Sequence, residues 1–321
     1  MKIVVLDGYT ENPGDLSWDE LGSLGELTVY DRTPKEMTVS RMLGAQAVFT
    51  NKTVIDADTL AQCPDLEFIG VLATGVNIVD LEEAARRGIV VSNVPSYGTL
   101  SVAQFTMALL LELCHHVGEH SMAVKKGEWS SCPDFCFWKY PLIELSGKTM
   151  GVVGYGNVGR AVAKLAKAFG MRIVVCGRRK IEEAQLEEGI ESVSLEELYG
   201  RADVISLHCP LTEENRYMIN QDSIRKMKDG VLLINTARGG LIQEKDLREA
   251  LISGKVAGAA VDVVSGEPIT GENPLLSAPH MIITPHIAWA PKEARKRLMD
   301  ITVQNMKAFL QGKPIHVVNG L

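Results

Sequence analysis

The chain has 321 residues, of which 46% are hydrophobic and 23% charged, and its net charge is −7 at pH 7. A chain of that length can bury roughly 75% of the surface it exposes when unfolded, so one or two domains need no disulfide or metal staple. A negative balance with no broad basic face argues against nucleic acid or an anionic membrane as the main partner.

The chain opens on MKIVVLDGYT (1–10), which reads as a strand and a turn, not a leader. Four more Val/Ile-rich runs follow: LTVYD (27–31), AQAVFTN (45–51), EFIGVLATG (67–75) and IVVSNV (89–94). A proline-free stretch, LSVAQFTMALLLELCHHVGEH (100–120), is predicted as one long helix. Its apolar part, FTMALLLELC (105–114), is soon followed by His115, His116 and Glu119, and no apolar run reaches the roughly 18 residues of a membrane span. A second series of six strand-like runs begins at KTMGVVGYG (148–156). It continues through RIVVCG (172–177), ADVISLHCP (202–210), GVLLINTARG (230–239), VAGAAVDVV (256–264) and MIITPHIA (281–288). The last long helix is PKEARKRLMDITVQNMKAFLQG (291–312), with Pro291 near its start and Gly312 near its end.

These runs are apolar without alternation, as strands covered on both faces should be. Strands alternating with helices predict an α/β protein with two doubly wound parallel sheets. Two long helices bracket the second series, which predicts one domain inserted into another. The expected boundaries are 1–98 with 288–321 for the outer domain and 99–287 for the inserted one, with a site in the cleft between them.

GYGNVG (154–159) lies between a strand and a helical stretch whose apolar residues fall at 158, 162, 165, 166 and 169. In a dinucleotide-binding turn, Gly154 permits the tight bend, Gly156 lets the backbone approach a diphosphate and Gly159 lets helix and strand pack closely. The amides at the helix start, Asn157 and Val158 among them, then face the phosphates. The ribose-binding acid expected at the end of the next strand is missing. In its place stands VVCGRRK (174–180). Gly177 removes the charge that would repel a 2′-phosphate, and Arg178, helped by Arg179 or Lys180, can meet one. The expected cofactor is therefore NADP(H), with NAD(H) usable.

Three ionisable residues fall just past strand ends, where ligands sit in such sheets: Arg238 in INTARGG, Glu267 in VSGEP and His286 in ITPHIAWA. Reduction of a 2-keto acid needs a cation on the carboxylate, which a guanidinium fork supplies. It also needs an acid titrating near neutrality to protonate the oxygen, which suits histidine. A carboxylate beside that histidine would orient it and favour its protonated form.

With these residues in place, the chain resembles the D-isomer-specific 2-hydroxyacid dehydrogenases along essentially its whole length. The matching stretches are LATGVNIVD (72–80), VAQ (102–104), GYGNVG, HCPLT (208–212), NTARGG (235–240), AAVDVVSGEP (259–268) and TPHIAWA (284–290). The resemblance implies a Rossmann NAD(P)-binding domain inserted into a flavodoxin-like substrate domain, with Arg238, Glu267 and His286 catalytic. It implies that the backbone of Ala73, Thr74, Gly75 and Val76 cradles the substrate carboxylate. It also implies cofactor contacts at Thr106, His208, Cys209, Pro210, Thr236, Ala237, Arg238, Asp262, His286 and Ala288. AWA after the histidine and DFCFW (134–138) are similar to the glycerate dehydrogenase/hydroxypyruvate reductase branch. The family further implies a small 2-keto or 2-hydroxy acid substrate, a cytoplasmic location and a homodimer through the cofactor domain, in which Trp138 could reach a partner's active site or else be a buried interface or core aromatic. The same fold resembles the co-repressors named C-terminal-binding proteins, which keep the Arg/Glu/His set. The glycerate-dehydrogenase-like flanks favour the enzyme.

Six cysteines, at 63, 114, 132, 136, 176 and 209, are expected as free thiols. Cys132 and Cys136 have no matching second pair, and His116 with His120 has no third ligand, so no metal is expected. Arg295, Lys296 and Arg297 are expected on a solvated helix face.

Overall fold

The first apolar run becomes β1 (Lys2–Val5), with Ile3, Val4 and Val5 inaccessible to solvent. β2 (Glu26–Val29), β3 (Ala47–Thr50), β4 (Phe68–Val71) and β5 (Val90–Ser92) join it in a wholly parallel sheet ordered β2-β1-β3-β4-β5. The structure, a computed structural model, describes residues 1–178, 181–182 and 186–321. It falls into two units, Met1–Gly98 with Trp289–Leu321, and Thr99–Ala288.

In the first unit, successive residues of β1 face opposite sides of the sheet. Ile3 and Val5 pack with Phe49, Phe68 and the helix Lys292–Leu310, whose Leu298, Val303 and Met306 close that face. Val4 packs on the other face with Val48, Ile69, Val91 and the short helices carrying Leu60 and Ala84. The C-terminal tail lies antiparallel beside β5. Val318 donates to Val91 O, and Asn319 accepts from Val91 N and donates to Ile89 O. This covers a strand edge that would otherwise present unpaired backbone groups.

The second unit is a seven-stranded parallel sheet of β6 (Thr149–Val153), β7 (Arg172–Cys176), β8 (Ile190–Ser192), β9 (Val204–Leu207), β10 (Val231–Asn235), β11 (Val256–Val261) and β12 (Met281–Ile283). Their order is β12-β11-β10-β9-β6-β7-β8. The winding reverses between β6 and β9, the point where doubly wound sheets bind ligands. Each face carries its own apolar cluster, one built on Val174, Ile205 and Leu233, the other on Val152, Ile173 and Ile234.

Four features differ from the sequence-based expectation. β8 was not foreseen; it has three residues, of which only Ile190 is buried, so it is too short and polar to stand out. The single helix over 100–120 is two, Thr99–His115 and Val117–Lys125, because His116 adopts a left-handed φ of 48°. His120 Nδ1 bonds to His116 O and its Nε2 accepts from Lys139 N, so this ring's nitrogens are committed to backbone. On the helix Asn157–Ala168, Gly159, Val162, Ala163 and Ala166 are buried, whereas Leu165 and Phe169 at its C-terminal end are exposed. Finally, Arg295 is not on a solvated face. It is 8% exposed, paired through two nitrogens with Asp15 at 2.7 and 2.8 Å, and it donates to Glu11 O.

Candidate active site

β6 ends at Val153, and the chain turns sharply at Gly154, whose φ is +98°. A Cβ there would lie 2.6 Å from Cys209 N and 2.7 Å from His208 C, so only glycine fits. A Cβ on Gly159 would meet Gly154 O at 2.0 Å, which sets how closely the helix approaches the strand. Gly156 begins the helix Asn157–Ala168, has no neighbour within 4 Å of its Cβ position, and no side chain caps the helix. Amides at the start of such a helix attract a phosphate, so the turn fits a dinucleotide.

The bend after β9 packs against this turn, with His208 N donating to Val153 O at 2.7 Å. Burial pushes the His208 imidazole down to about 3, so it is neutral at pH 7, and its Nε2 pairs with Ser206 Oγ at 2.8 Å. Burial likewise pushes the Cys176 thiol up to about 12 and raises that of Cys209. Neither thiol ionises near neutrality, so both behave as apolar groups. Pro210 O accepts from Asn215 Nδ2 at 2.8 Å. Thr106 is buried, with its hydroxyl 3.0 Å from that of Thr236.

Gly177 and Arg178 follow β7 directly, and both are exposed. The Glu214 carboxyl is held below its usual range by the Thr212 hydroxyl first and its own backbone next; the Arg178 charge is a lesser cause. Arg179 and Lys180 lie outside the described residues.

β10 delivers Arg238. Buried Asn235 at the strand end donates to Arg238 O at 2.8 Å and accepts from Ala237 N at 3.0 Å, a turn that sequence reasoning missed. The Arg238 guanidinium is exposed and donates to Ala237 O through Nη1. β12 delivers His286, which has a left-handed φ of 54°. Its Nδ1 is 2.6 Å from Glu267 Oε2, while Glu267 Oε1 accepts from Val264 N at 3.2 Å. A carboxylate accepts, so Nδ1 carries the proton of this bond. This fixes the tautomer and leaves any proton exchange by the ring to Nε2.

Asp262, at the end of β11, is 1% exposed and holds this loop. Its Oδ1 accepts from Thr284 Oγ1 and Ile287 N, and its Oδ2 accepts from Ala288 N. The hydroxyl of Ser101 also bonds to Ala288 O. Arg238, Glu267, His286 and Asp262 thus stand at three adjacent strand ends of one sheet. In the other unit, the turn through Ala73, Thr74, Gly75 and Val76 is held by Val94 N on Ala73 O and Thr74 Oγ1 on Val94 O. Trp138 is 66% exposed, so it is not a core aromatic of its own chain. Among the described residues, no group of three or more His, Cys, Asp or Glu side chains is placed to hold a metal ion.

Residues 107–288 match the family described as D-isomer specific 2-hydroxyacid dehydrogenase, NAD binding domain. The chain is 55% identical to a hydroxypyruvate reductase of Blautia hydrogenotrophica, over 99% of this chain and all of that one. It is 40% identical to a glycerate dehydrogenase of Methylorubrum extorquens, over 99% of this chain and 98% of the relative. Among solved structures, an acyclic imino acid reductase in complex with NADPH and D-Arg superposes with a TM-score of 0.85 at 27% identity. That match covers 99% of this chain and all of the other.

Proposed function

The chain belongs to the D-isomer-specific 2-hydroxyacid dehydrogenase family, hydride-transferring oxidoreductases that act on CH–OH groups with a nicotinamide cofactor, and within it we propose that it reduces hydroxypyruvate or glyoxylate with NADPH preferred. The observation that carries the chemistry is the 2.6 Å pair of His286 and Glu267 on the sheet that bears the Gly154–Gly159 turn and Arg238.

A dinucleotide whose diphosphate sits at this turn would supply the hydride from its nicotinamide. The protein's own groups do the rest. The Arg238 fork binds the substrate carboxylate and draws electron density from the neighbouring carbonyl. His286 donates its Nε2 proton to the carbonyl oxygen as the alcohol forms, and Glu267 compensates the imidazolium charge before that transfer. The product is the 2-hydroxy acid, with one proton consumed.

Hydroxypyruvate is supported by the 55% identity to a hydroxypyruvate reductase. NADPH is supported by Gly177 in place of an acid and by Arg178 after it. A homodimer through the Thr99–Ala288 unit is supported by apolar side chains left exposed there, among them Val117, Met122, Phe135 and Trp138. The test is kcat/KM for a panel of 2-keto acids with NADH and with NADPH. Highest values on hydroxypyruvate or glyoxylate are expected; a tenfold or greater preference for a bulky apolar keto acid overturns the substrate assignment.

A further inference from the structure

Behind the Arg238 turn begins the helix Glu244–Ile252, and Glu244, its first residue, is 9% exposed. A buried carboxylate is costly unless its oxygens are satisfied. No lysine or arginine among the described residues forms an ion pair with it. Its partners are instead three donors on the Glu267 loop. Oε1 accepts from Ser265 N at 2.8 Å, and Oε2 accepts from Ser265 Oγ at 2.9 Å and Asn273 Nδ2 at 3.0 Å. An acceptor-only group is what this set of donors requires, and a carboxylate is one.

The chain at Val264 and Ser265, held in this way, touches both halves of the site. On one side, a Cβ on Gly239 would lie 1.9 Å from Val264 C and 2.4 Å from Ser265 N, so the residue after Arg238 is flush against this peptide. On the other, Val264 N donates to Glu267 Oε1, the oxygen opposite the one that binds His286. Two consecutive peptides joined at Val264 therefore set the position of Arg238 and of the Glu267 carboxylate, and Glu244 grips the second of them through Ser265.

We propose that Glu244 is a positioning residue for the reaction: through Ser265 it holds the Glu267–His286 pair in register with Arg238. This rests on the reading of the site given above. Glu244→Gln keeps the volume but places an NH₂ against a set of donors. It is expected to lower kcat roughly tenfold, because small misplacements of reacting groups are expensive. It should leave NADPH binding, read by the fluorescence of the reduced nicotinamide, within about twofold of the parent. Glu244→Asp, which keeps an acceptor, should recover part of the loss.

The deciding measurement is a double-mutant cycle with Glu267→Gln, since residues acting through one another are not additive. If Glu244 acts through Glu267, Glu244→Gln costs little kcat once Glu267 is Gln. Alone, it also moves the alkaline limb of the kcat/KM–pH profile for reduction to lower pH, in the direction of Glu267→Gln. Equal costs in both backgrounds, or a lowered Tm with an unmoved pH profile, overturn the proposal. Should Glu244→Gln not fold, Ser265→Ala carries the same cycle, and additivity there overturns it. Wild-type activity in Glu267→Gln and His286→Ala would instead overturn the underlying reading of the site.

Discussion

His286 Nδ1 lies 2.6 Å from Glu267 Oε2, across 19 residues of chain and between the ends of two neighbouring strands. The pair orients the imidazole, and in the proposed reaction Nε2 faces the substrate. Removing the acid, in His286→Ala, should lower kcat for hydroxypyruvate reduction by roughly 10²–10⁴. Glu267→Gln keeps the side chain's shape but not its charge. Reduction consumes the protonated imidazole, so this variant should lose activity at a lower pH than the wild type. An unchanged pH–rate profile would separate Glu267 from proton transfer.

Arg238 places an exposed guanidinium at the end of β10, where buried Asn235 fixes the turn beneath it. Arg238→Lys keeps the charge but loses the fork, so both KM and kcat should worsen. Near-normal kcat/KM for hydroxypyruvate in the lysine variant would assign the carboxylate to another group.

Gly177 and Arg178 follow β7 in the open, within reach of the Glu214 charge. A hydrogen bond from a charged group contributes about 1.5–3 kcal/mol. One such contact to a 2′-phosphate predicts a preference for NADPH of roughly 10- to 150-fold in kcat/KM. Arg178→Ala should weaken NADPH use and leave NADH use nearly unchanged, and Gly177→Asp should reverse the preference. Steady-state kinetics with both cofactors at fixed ionic strength decides; equal weakening of the two makes the segment an ordinary turn.

Glu11 tests a different part of the molecule. It is inaccessible to solvent, and burial first, then the charge of Asp7, push its carboxyl from 4.5 up to about 8. The folded state therefore keeps a proton that the unfolded chain releases above pH 4.5. Stability present below that pH is lost as pH rises through about 8, at up to roughly 1.4 kcal/mol per pH unit. Urea unfolding of the whole chain between pH 5 and 9 should show this decline, and Glu11→Gln, neutral throughout, should flatten it. A variant that declines as steeply as the parent would place the pH dependence elsewhere.

The sequence by itself determined the two parallel sheets, the glycine turn from β6 into a helix and the three strand-end residues. Each is written in a local pattern: Val/Ile runs of strand length, glycines at fixed spacing, and an ionisable residue three to six positions past a strand. Only the tertiary structure decided what Asp262, Asn235, Glu244 and Arg295 do. The ligands of Asp262 lie 22 to 26 residues away, those of Glu244 21 to 29 away, and Asp15 is 280 residues from Arg295. No window of sequence spans those distances, so Arg295 read as one more solvated helix charge and Glu244 drew no reading. The break at His116 was hidden for the opposite reason. No proline marks it, and the left-handed residue packs its ring on Tyr140, a contact that local propensity does not encode. A buried polar group takes its role from the donors that folding brings to it, because burial makes those bonds obligatory while leaving the chain free to supply them from anywhere.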